Sequence, residues 1–354
     1  MGKRIAVVGT GALGGYVGGY LANAGLDVTL IDFWPENIET IRKNGLELDG
    51  VTPEEKFTVR SAKTMHPTEM QDLSRQKPID IAFVAMKSYD TEWATQLIKQ
   101  YLSPDGFVVS LQNCLNEERI AGVVGWGKTV GMVASLISVD MYEAGKIRRT
   151  IAKGGDKHTV FRVGEVHGRI TKRVEELRDM VGTIDSAKTT TNLWGERWSK
   201  LCQNGMKNGV SAATGMTGID CDRNDAVRRF SIKLGGEAVR VGQALGYQIE
   251  KIGKFEPETL ARASEGDKAA LDEVEAILRP GSNTNPNPRA DIQRPSMAQD
   301  IIKGRRTEIE FMNGYVAERG NHIGVPAPTH AKLTEIVKKV ERREVKPSAA
   351  LLGG

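Results

Sequence analysis

The opening of the chain constrains its fold more than anything that follows. An apolar run, Ile5-Ala6-Val7-Val8, passes into Gly9-Thr10-Gly11-Ala12-Leu13-Gly14 and then into a stretch of helical character that stops at Gly25. Strand, tight turn and helix follow in that order. Gly9 permits the sharp turn, Gly11 lets backbone approach a pyrophosphate, and Gly14 lets the helix lie close on the strand. The helix start at Ala12 and Leu13 presents backbone N–H groups and the positive end of the helix dipole to phosphates. A second apolar run over 27–31 ends at Asp32, about 20 residues past the turn, where an acid can accept both ribose hydroxyls. The expected ligand is a nicotinamide dinucleotide, and Asp32 makes NAD the expected form, with NADP disfavoured. A 2′-phosphate would meet like charge there, and Phe33, Trp34 and Pro35 supply no basic receptor.

At 354 residues the chain is long enough for two domains, and its 40% apolar content supplies ordinary cores. The formal charge of +4 comes from basic and acidic residues interspersed along the chain, a pattern that argues against nucleic acid and for a small-molecule partner. Lys3-Arg4 followed by apolar residues imitates a signal start, but glycines break the run. Ala6 stands where myristoylation needs Ser or Thr. Later apolar runs stay well short of the roughly 18 residues of a membrane span. Cys114, Cys202 and Cys221 are too few and too irregularly spaced for a disulfide framework or a zinc site. His66, His158, His167, His322 and His330 form no ligand pattern either, so the expectation is packing or surface roles, no metal and a cytoplasmic setting.

The first part alternates: helix over 36–44, strand over 79–85, helix over 91–102, strand over 107–111. Such alternation means a parallel sheet with helices on both faces. Lys87 and Asn113 fall just past strand ends, where ligands of open α/β sheets bind. β-branched and glycine-rich stretches over 133–139 and 159–163 predict further strands extending the sheet, and 169–181 reads as a helix. The α/β domain is therefore expected over 1–189. Beyond it strand patterns almost vanish. Amphipathic segments over 193–213, 225–245, 257–278, 297–319 and 331–343 predict an all-helical domain over 190–345, interrupted by a Pro/Asn-rich surface loop at 279–288. A frayed tail is expected over 346–354.

Lys200, Asn204 and Asn208 are spaced by four, so on one helix they line one face. A cation followed by two amides builds a poor core and a good cradle for a polar substrate; the plain alternative is a solvated face. Further on stand Ser296-Met297-Ala298-Gln299-Asp300-Ile301, Gly304-Arg305-Arg306-Thr307-Glu308-Ile309-Glu310, Asn313-Gly314 and Gly324-Val325-Pro326. Together with Gly9 to Gly14, Lys87, Asn113 and the lysine–asparagine stripe, these make the chain resemble the ketopantoate reductase (2-dehydropantoate 2-reductase) family over most of its length.

The resemblance implies a Rossmann-type N-terminal domain and a helical C-terminal domain like that of 6-phosphogluconate dehydrogenase. It implies hydride transfer between nicotinamide and a 2-keto or 2-hydroxy acid, with Lys200 as general acid. Asn204, Asn208, Ser296 and Asn113 would contact substrate, Glu308 would act beside Lys200 on a substrate hydroxyl, and Lys87 and Asn113 would contact the cofactor. The helical domain would also support a homodimer. Ser296 has a simpler reading as a helix N-cap, with Gln299 completing a capping box. Glu308 has one as a surface carboxylate paired with Arg305 or Arg306. Asp32 departs from the family's usual basic residue, Cys114 stands where glycine is usual, Gly209 where proline is common, and 246–294 looks long. These departures leave two alternatives: a dehydrogenase of a bulkier secondary alcohol or hydroxy acid, and a dinucleotide-binding sensor without catalysis.

Overall fold

The opening motif is realised as strand β1 (Arg4–Val8) and helix α1 (Ala12–Asn23). In the computed structural model, which describes residues 2–279 and 294–353, β1 lies inside an eight-stranded sheet. The chain divides into two compact units, Met1–Leu193 and Trp194–Gly354. The main strands of the first unit are β2 (Asp27–Ile31), β5 (Lys63–Met65), β6 (Ile79–Val84), β7 (Leu102–Ser110), β8 (Thr129–Ala134), β11 (Phe161–Glu165) and β12 (Ala187–Thr189), in the order β12-β11-β8-β7-β6-β1-β2-β5. All neighbours are parallel except β8 and β11. The strand order reverses at β1, with β2 on one side and β6 on the other.

The buried runs alternate between two cores. Ile5 and Val7 of β1 pack on one face of the sheet with Ile81 and Phe83 of β6, while Ala6 and Val8 pack on the other with Ala82 and Val84. Strands covered on both faces need apolar residues at every position, and that is why these stretches lack an alternating pattern. Helices α2 (Pro35–Asn44), α3 (Thr91–Lys99), α4 (Glu117–Val124) and α5 (Lys172–Gly182) complete the unit.

A second sheet departs from the sequence expectation. Strands β3 (Leu46–Asp49), β4 (Phe57–Val59), β9 (Val139–Glu143) and β10 (Lys146–Arg149) form a separate sheet in the order β4-β3-β10-β9. The two stretches expected to extend the main sheet reach it as β8 and β11, although 133–139 is main-sheet strand only as far as Ala134. The second sheet needs a helix surface without side chains, and α1 supplies it. A Cβ on Gly19 would meet Leu46 and Leu48 of β3, and one on Gly18 would meet Leu30 and Val7 of the main sheet. Helix α1 is thus packed between two sheets. Its repeated glycines follow from close approach on both sides.

The second unit is helical: α6 (Leu193–Gly205), α7 (Asn208–Thr214), α8 (Gly218–Arg223), α9 (Asp225–Ala244), α10 (Pro257–Ser264), α11 (Lys268–Leu278), α12 (Ser296–Ile302), α13 (Ile309–His322) and α14 (Pro328–Glu341). Three of the long expected segments are each two helices. Gly266 (φ 99°) breaks 257–278, Gly304 (φ 64°) breaks 297–319, and 193–213 breaks after Gly205. Buried Trp198 donates from Nε1 to the Ala238 carbonyl of α9 at 2.8 Å.

The terminal segment is not frayed. The Ser348 N–H donates to the Ala213 carbonyl at 2.9 Å, a 3₁₀ turn spans Ala349–Leu351, and Leu352 is buried. The expected Pro/Asn-rich loop, from 280 on, lies outside the described residues. Among the described residues no helix is long and apolar enough to cross a membrane.

Candidate cofactor and substrate site

Strand register lines up the residues singled out in the first unit. Ile31 pairs with Val8, Val8 with Val84, Val84 with Ser110, and Ser110 with Gly131. Asp32 and Gly9 each come directly after this row, and Lys87 and Asn113 each stand three residues past it. All therefore lie along the carboxyl edge of one parallel sheet, at and beside the point where the strand order reverses.

Gly9 has φ 100° and its N–H donates to the Ile31 carbonyl at 2.8 Å. This left-handed geometry favours glycine. A Cβ on Gly14 would collide with the Gly9 carbonyl oxygen and the Ala85 side chain, whereas one on Gly11 would meet nothing within 4 Å. The turn is closed on the protein side and open on the other. Gly11 caps α1 without a side-chain bond, and the first turn of α1 carries no acidic residue. Backbone N–H groups at Ala12 and Leu13 with a positive dipole end and open space before them fit a pyrophosphate.

Asp32 is held in place. Its Oδ1 accepts from the Trp34 N–H at 3.1 Å and its Oδ2 from the Asn37 amide at 2.7 Å. The Asn37 amide nitrogen also donates to the Thr10 carbonyl at 3.1 Å, and its Oδ1 accepts from the Gly145 N–H at 2.8 Å. Fully buried Asn37 therefore fixes the carboxylate relative to the glycine turn. Sequence reading missed it, because a single asparagine in the first turn of a helix carries no pattern. Trp34 is the N-cap residue of α2, and the Phe33 ring lies 4.2 Å from the exposed Trp93 ring of α3.

The loops bearing Lys87 and Asn113 are strapped together by two buried amides that sequence reading also passed over. Gln112 Nε2 donates to the Met86 carbonyl and to Thr91 Oγ1, both at 2.8 Å. Asn116 Nδ2 donates to Ser88 Oγ at 3.1 Å and to the Asn113 carbonyl at 2.8 Å. The signal available was the run Gln112-Asn113-Cys114-Leu115-Asn116, three amides within five residues at a strand end. Cys114 has φ 65°, so the position where the family usually has glycine is one whose backbone asks for it.

In the second unit Lys200 and Asn204 lie one turn apart on α6, with Lys200 half-buried and Asn204 buried. Asn208 does not continue that helix as expected; it opens α7. The reason is a side chain inserted at the joint: Asn313 Nδ2 donates to the Gly205 carbonyl at 3.0 Å. A carbonyl taken by a side chain interrupts the helical ladder. Asn313 Nδ2 also lies 3.1 Å from His330 Nδ1, and His330 Nε2 lies 2.8 Å from the Leu234 carbonyl. An imidazole that donates to Leu234 and accepts from Asn313 satisfies both contacts.

Ser296 is not an N-cap. Pro295 takes that position without a side-chain bond, Ser296 is the exposed first residue of α12, and Gln299 turns back to the Arg294 carbonyl at 2.9 Å. Helix α12 packs against α7. Glu308 is buried and immediately precedes α13. The neighbouring Thr307 is anchored by its N–H and hydroxyl to Glu341 at 2.8 and 2.6 Å. The neighbouring Glu310 meets Arg306 at 3.2 Å and Lys338 at 3.1 Å. Ile309, the first residue of α13, abuts Gly209 of α7. No group of three or more His, Cys, Asp or Glu that could hold a metal occurs among the described residues.

Burial holds the His330 imidazole down at about 4, against the ordinary 6.5, and the bond to Leu234 offsets this only in part. Because the folded value lies below the unfolded one, its contribution to stability is complete above pH 6.5 and is lost as pH falls toward 4. The slope from this one group is about 1.4 kcal/mol per pH unit. Urea unfolding of the full chain between pH 7 and pH 4.5 is expected to show this loss, and His330→Gln is expected to flatten it. An equal slope in the variant would show that other groups carry the acid sensitivity.

A parallel sheet with a glycine turn at the point where the strand order reverses, a fixed carboxylate at the end of β2 and a helical unit carrying a lysine–asparagine pair is the make-up of a nicotinamide-dependent oxidoreductase acting on CH–OH groups. Residues 5–160 match the family described as ketopantoate reductase PanE/ApbA, and residues 192–341 match its C-terminal domain. The chain belongs to the ketopantoate reductase family. It is 28% identical over 339 residues to the 2-dehydropantoate 2-reductase of Pyrococcus horikoshii, covering 96% of this chain and 97% of that one. A PanE/ApbA family ketopantoate reductase from Ralstonia eutropha is similar in structure, with a TM-score of 0.74, 25% identity, and coverage of 96% of this chain and 99% of that one. The same fold occurs in a D-mandelate dehydrogenase solved with NADH and anilino(oxo)acetate, with a TM-score of 0.77, 20% identity and coverage of 96% and 99%.

Proposed function

We propose that this chain interconverts a 2-keto acid and its 2-hydroxy acid with NAD as the preferred cofactor. The observation that carries the cofactor choice is the Asp32 carboxylate, held by Asn37 and the Trp34 N–H at the end of β2. An anion fixed there accepts from two ribose hydroxyls and repels a 2′-phosphate. When bound, the nicotinamide supplies or takes up the hydride. The protein's part is placement, charge and proton transfer.

In this reading Gly9, Gly11, Gly14 and the backbone at Ala12 and Leu13 hold the pyrophosphate, and Lys87 and Asn113 contact the cofactor, Asn113 reaching the substrate as well. Lys200 donates the proton to the carbonyl oxygen as negative charge develops on it, and takes it back in the oxidation direction. Asn204 and Asn208 hydrogen-bond the substrate, the Ser296 hydroxyl its carboxylate, and buried Glu308 a substrate hydroxyl. The homodimer expected through the helical unit and the cytoplasmic setting belong to the same reading.

The test is absorbance of the reduced nicotinamide in both directions with ketopantoate and pantoate, using NADH and NADPH. Turnover with a clear NADH preference supports the reading. A clear NADPH preference overturns the cofactor assignment, and cofactor binding without turnover on any keto or hydroxy acid points to the sensor. The Asp32 departure favours one variant of this reading, oxidation of a bulkier hydroxy acid. Turnover of such compounds with none of ketopantoate distinguishes it.

A further inference from the structure

Three of the non-glycine residues with left-handed backbone stand at one end of two neighbouring strands. They are Cys114 (φ 65°) after β7, and Leu136 (φ 53°) and Ser138 (φ 41°) after β8. Strained conformations persist where the surroundings over-determine them, and they concentrate at ligand-binding positions. The segment after β8 is held on both sides. The Ser135 N–H donates to the Val160 carbonyl at 2.9 Å, the Thr150 N–H donates to the Ser138 carbonyl at 3.0 Å, and the Ser138 and Thr150 hydroxyls meet at 2.9 Å. Between these clamps Ile137 enters the core, while Leu136 leaves half of its surface, 50%, open to water. A strained backbone that pushes a large aliphatic side chain into water gains nothing for the fold.

Its position supplies a reason. Ser110 pairs with Gly131, so Asn113 and Ala134 stand three residues beyond the same register row, and Leu136 lies just past that level. Along the carboxyl edge the order is Asp32 at β2, the glycine turn at β1, Lys87 at β6, Asn113 at β7 and Leu136 at β8. A dinucleotide with its adenosine ribose at Asp32 runs along this edge toward β7. The next place in the row faces whatever reacts with the nicotinamide. We infer that Leu136 is a specificity-determining residue whose side chain forms the apolar wall for the carbon side chain of the substrate. The inference rests on the reading of the chain as a 2-keto acid reductase and goes beyond it by naming the residue that selects the substrate's carbon side chain.

The test compares the full-length chain with Leu136→Ala and Leu136→Gly, using the reduced cofactor and four probes: pyruvate, ketopantoate, 3-methyl-2-oxobutanoate and phenylglyoxylate. Removal of an apolar wall is worth about 10- to 200-fold in kcat/KM for the group it contacts. Both variants are expected to lose at least about 10-fold on the branched and aromatic acids and less than about twofold on pyruvate, with NADH affinity unchanged. Leu136→Gly accepts the left-handed backbone without strain, so its melting temperature is expected to be no lower than that of the parent chain, which separates a contact from a folding defect. Equal losses on all four acids, no loss on the branched ones, or a changed oligomeric state with unchanged selectivity overturns the inference while leaving the reductase reading intact. A parent chain inert toward every keto acid overturns both.

Discussion

Replacing Lys200 by alanine is expected to lower kcat by about 100-fold or more while leaving NADH affinity nearly unchanged. Lys200 sits on α6 of the helical unit, while the glycine turn and Asp32 sit on the sheet of the other. The lysine is half-buried with the Asn204 amide one turn away. Reduction of a ketone puts a full negative charge on an oxygen that was only polarised before. An ammonium at that oxygen supplies charge and then a proton, and both are worth most in the transition state. Lys200→Arg keeps the charge but gives up its proton far less readily, so it is expected to fall between the parent and the alanine variant in kcat. Steady-state kinetics and fluorescence titration of NADH read the two quantities separately. A parallel loss of NADH binding in Lys200→Ala would remove the lysine from the proton-transfer role.

Asp32→Ala is expected to weaken NADH by about 10- to 100-fold, since the lost hydrogen bonding to a charged acceptor is worth about 1.5–3 kcal/mol net of water. NADPH is expected to lose little or to gain, because the repulsion of its 2′-phosphate goes with the carboxylate. Alanine also frees Asn37 and the Trp34 N–H, both of which Asp32 accepts from, so Asp32→Asn is the companion variant. It keeps the shape and removes the charge. The measured quantity is the ratio of kcat/KM with NADH to that with NADPH. An unchanged ratio in both variants would mean that the ribose end lies elsewhere.

Where several of these residues fall in the fold was legible from the sequence alone. The glycine turn, Asp32, Lys87 and Asn113 were readable because each stands at a strand end, and strand ends are marked by apolar runs that stop. The spacing of Lys200 and Asn204 was readable because four residues return to one helix face. The supporting amides were not. Asn37, Gln112, Asn116 and Asn313 act through partners 3 to 108 residues away, and no local pattern encodes a hydrogen bond of that reach. The same limit explains the split at Gly205, where the helical pattern runs on to 213 while the Asn313 amide takes the carbonyl.

What the amino-acid order determined by itself is the local grammar. It set strands buried on both faces, a turn that only glycine can make at Gly9, an acid at the end of β2, and a second unit built from helices among its described residues. These follow from backbone geometry and from the period of apolar residues. What only the tertiary structure decided is which surfaces meet. β9 and β10 joined β3 and β4 in a second sheet on the glycine face of α1, the terminal residues docked beside Ala213, and Glu308 was buried at the start of α13. Such outcomes depend on shape and on competition among distant partners for the same hydrogen bonds and the same apolar area, and those are properties of the packed chain.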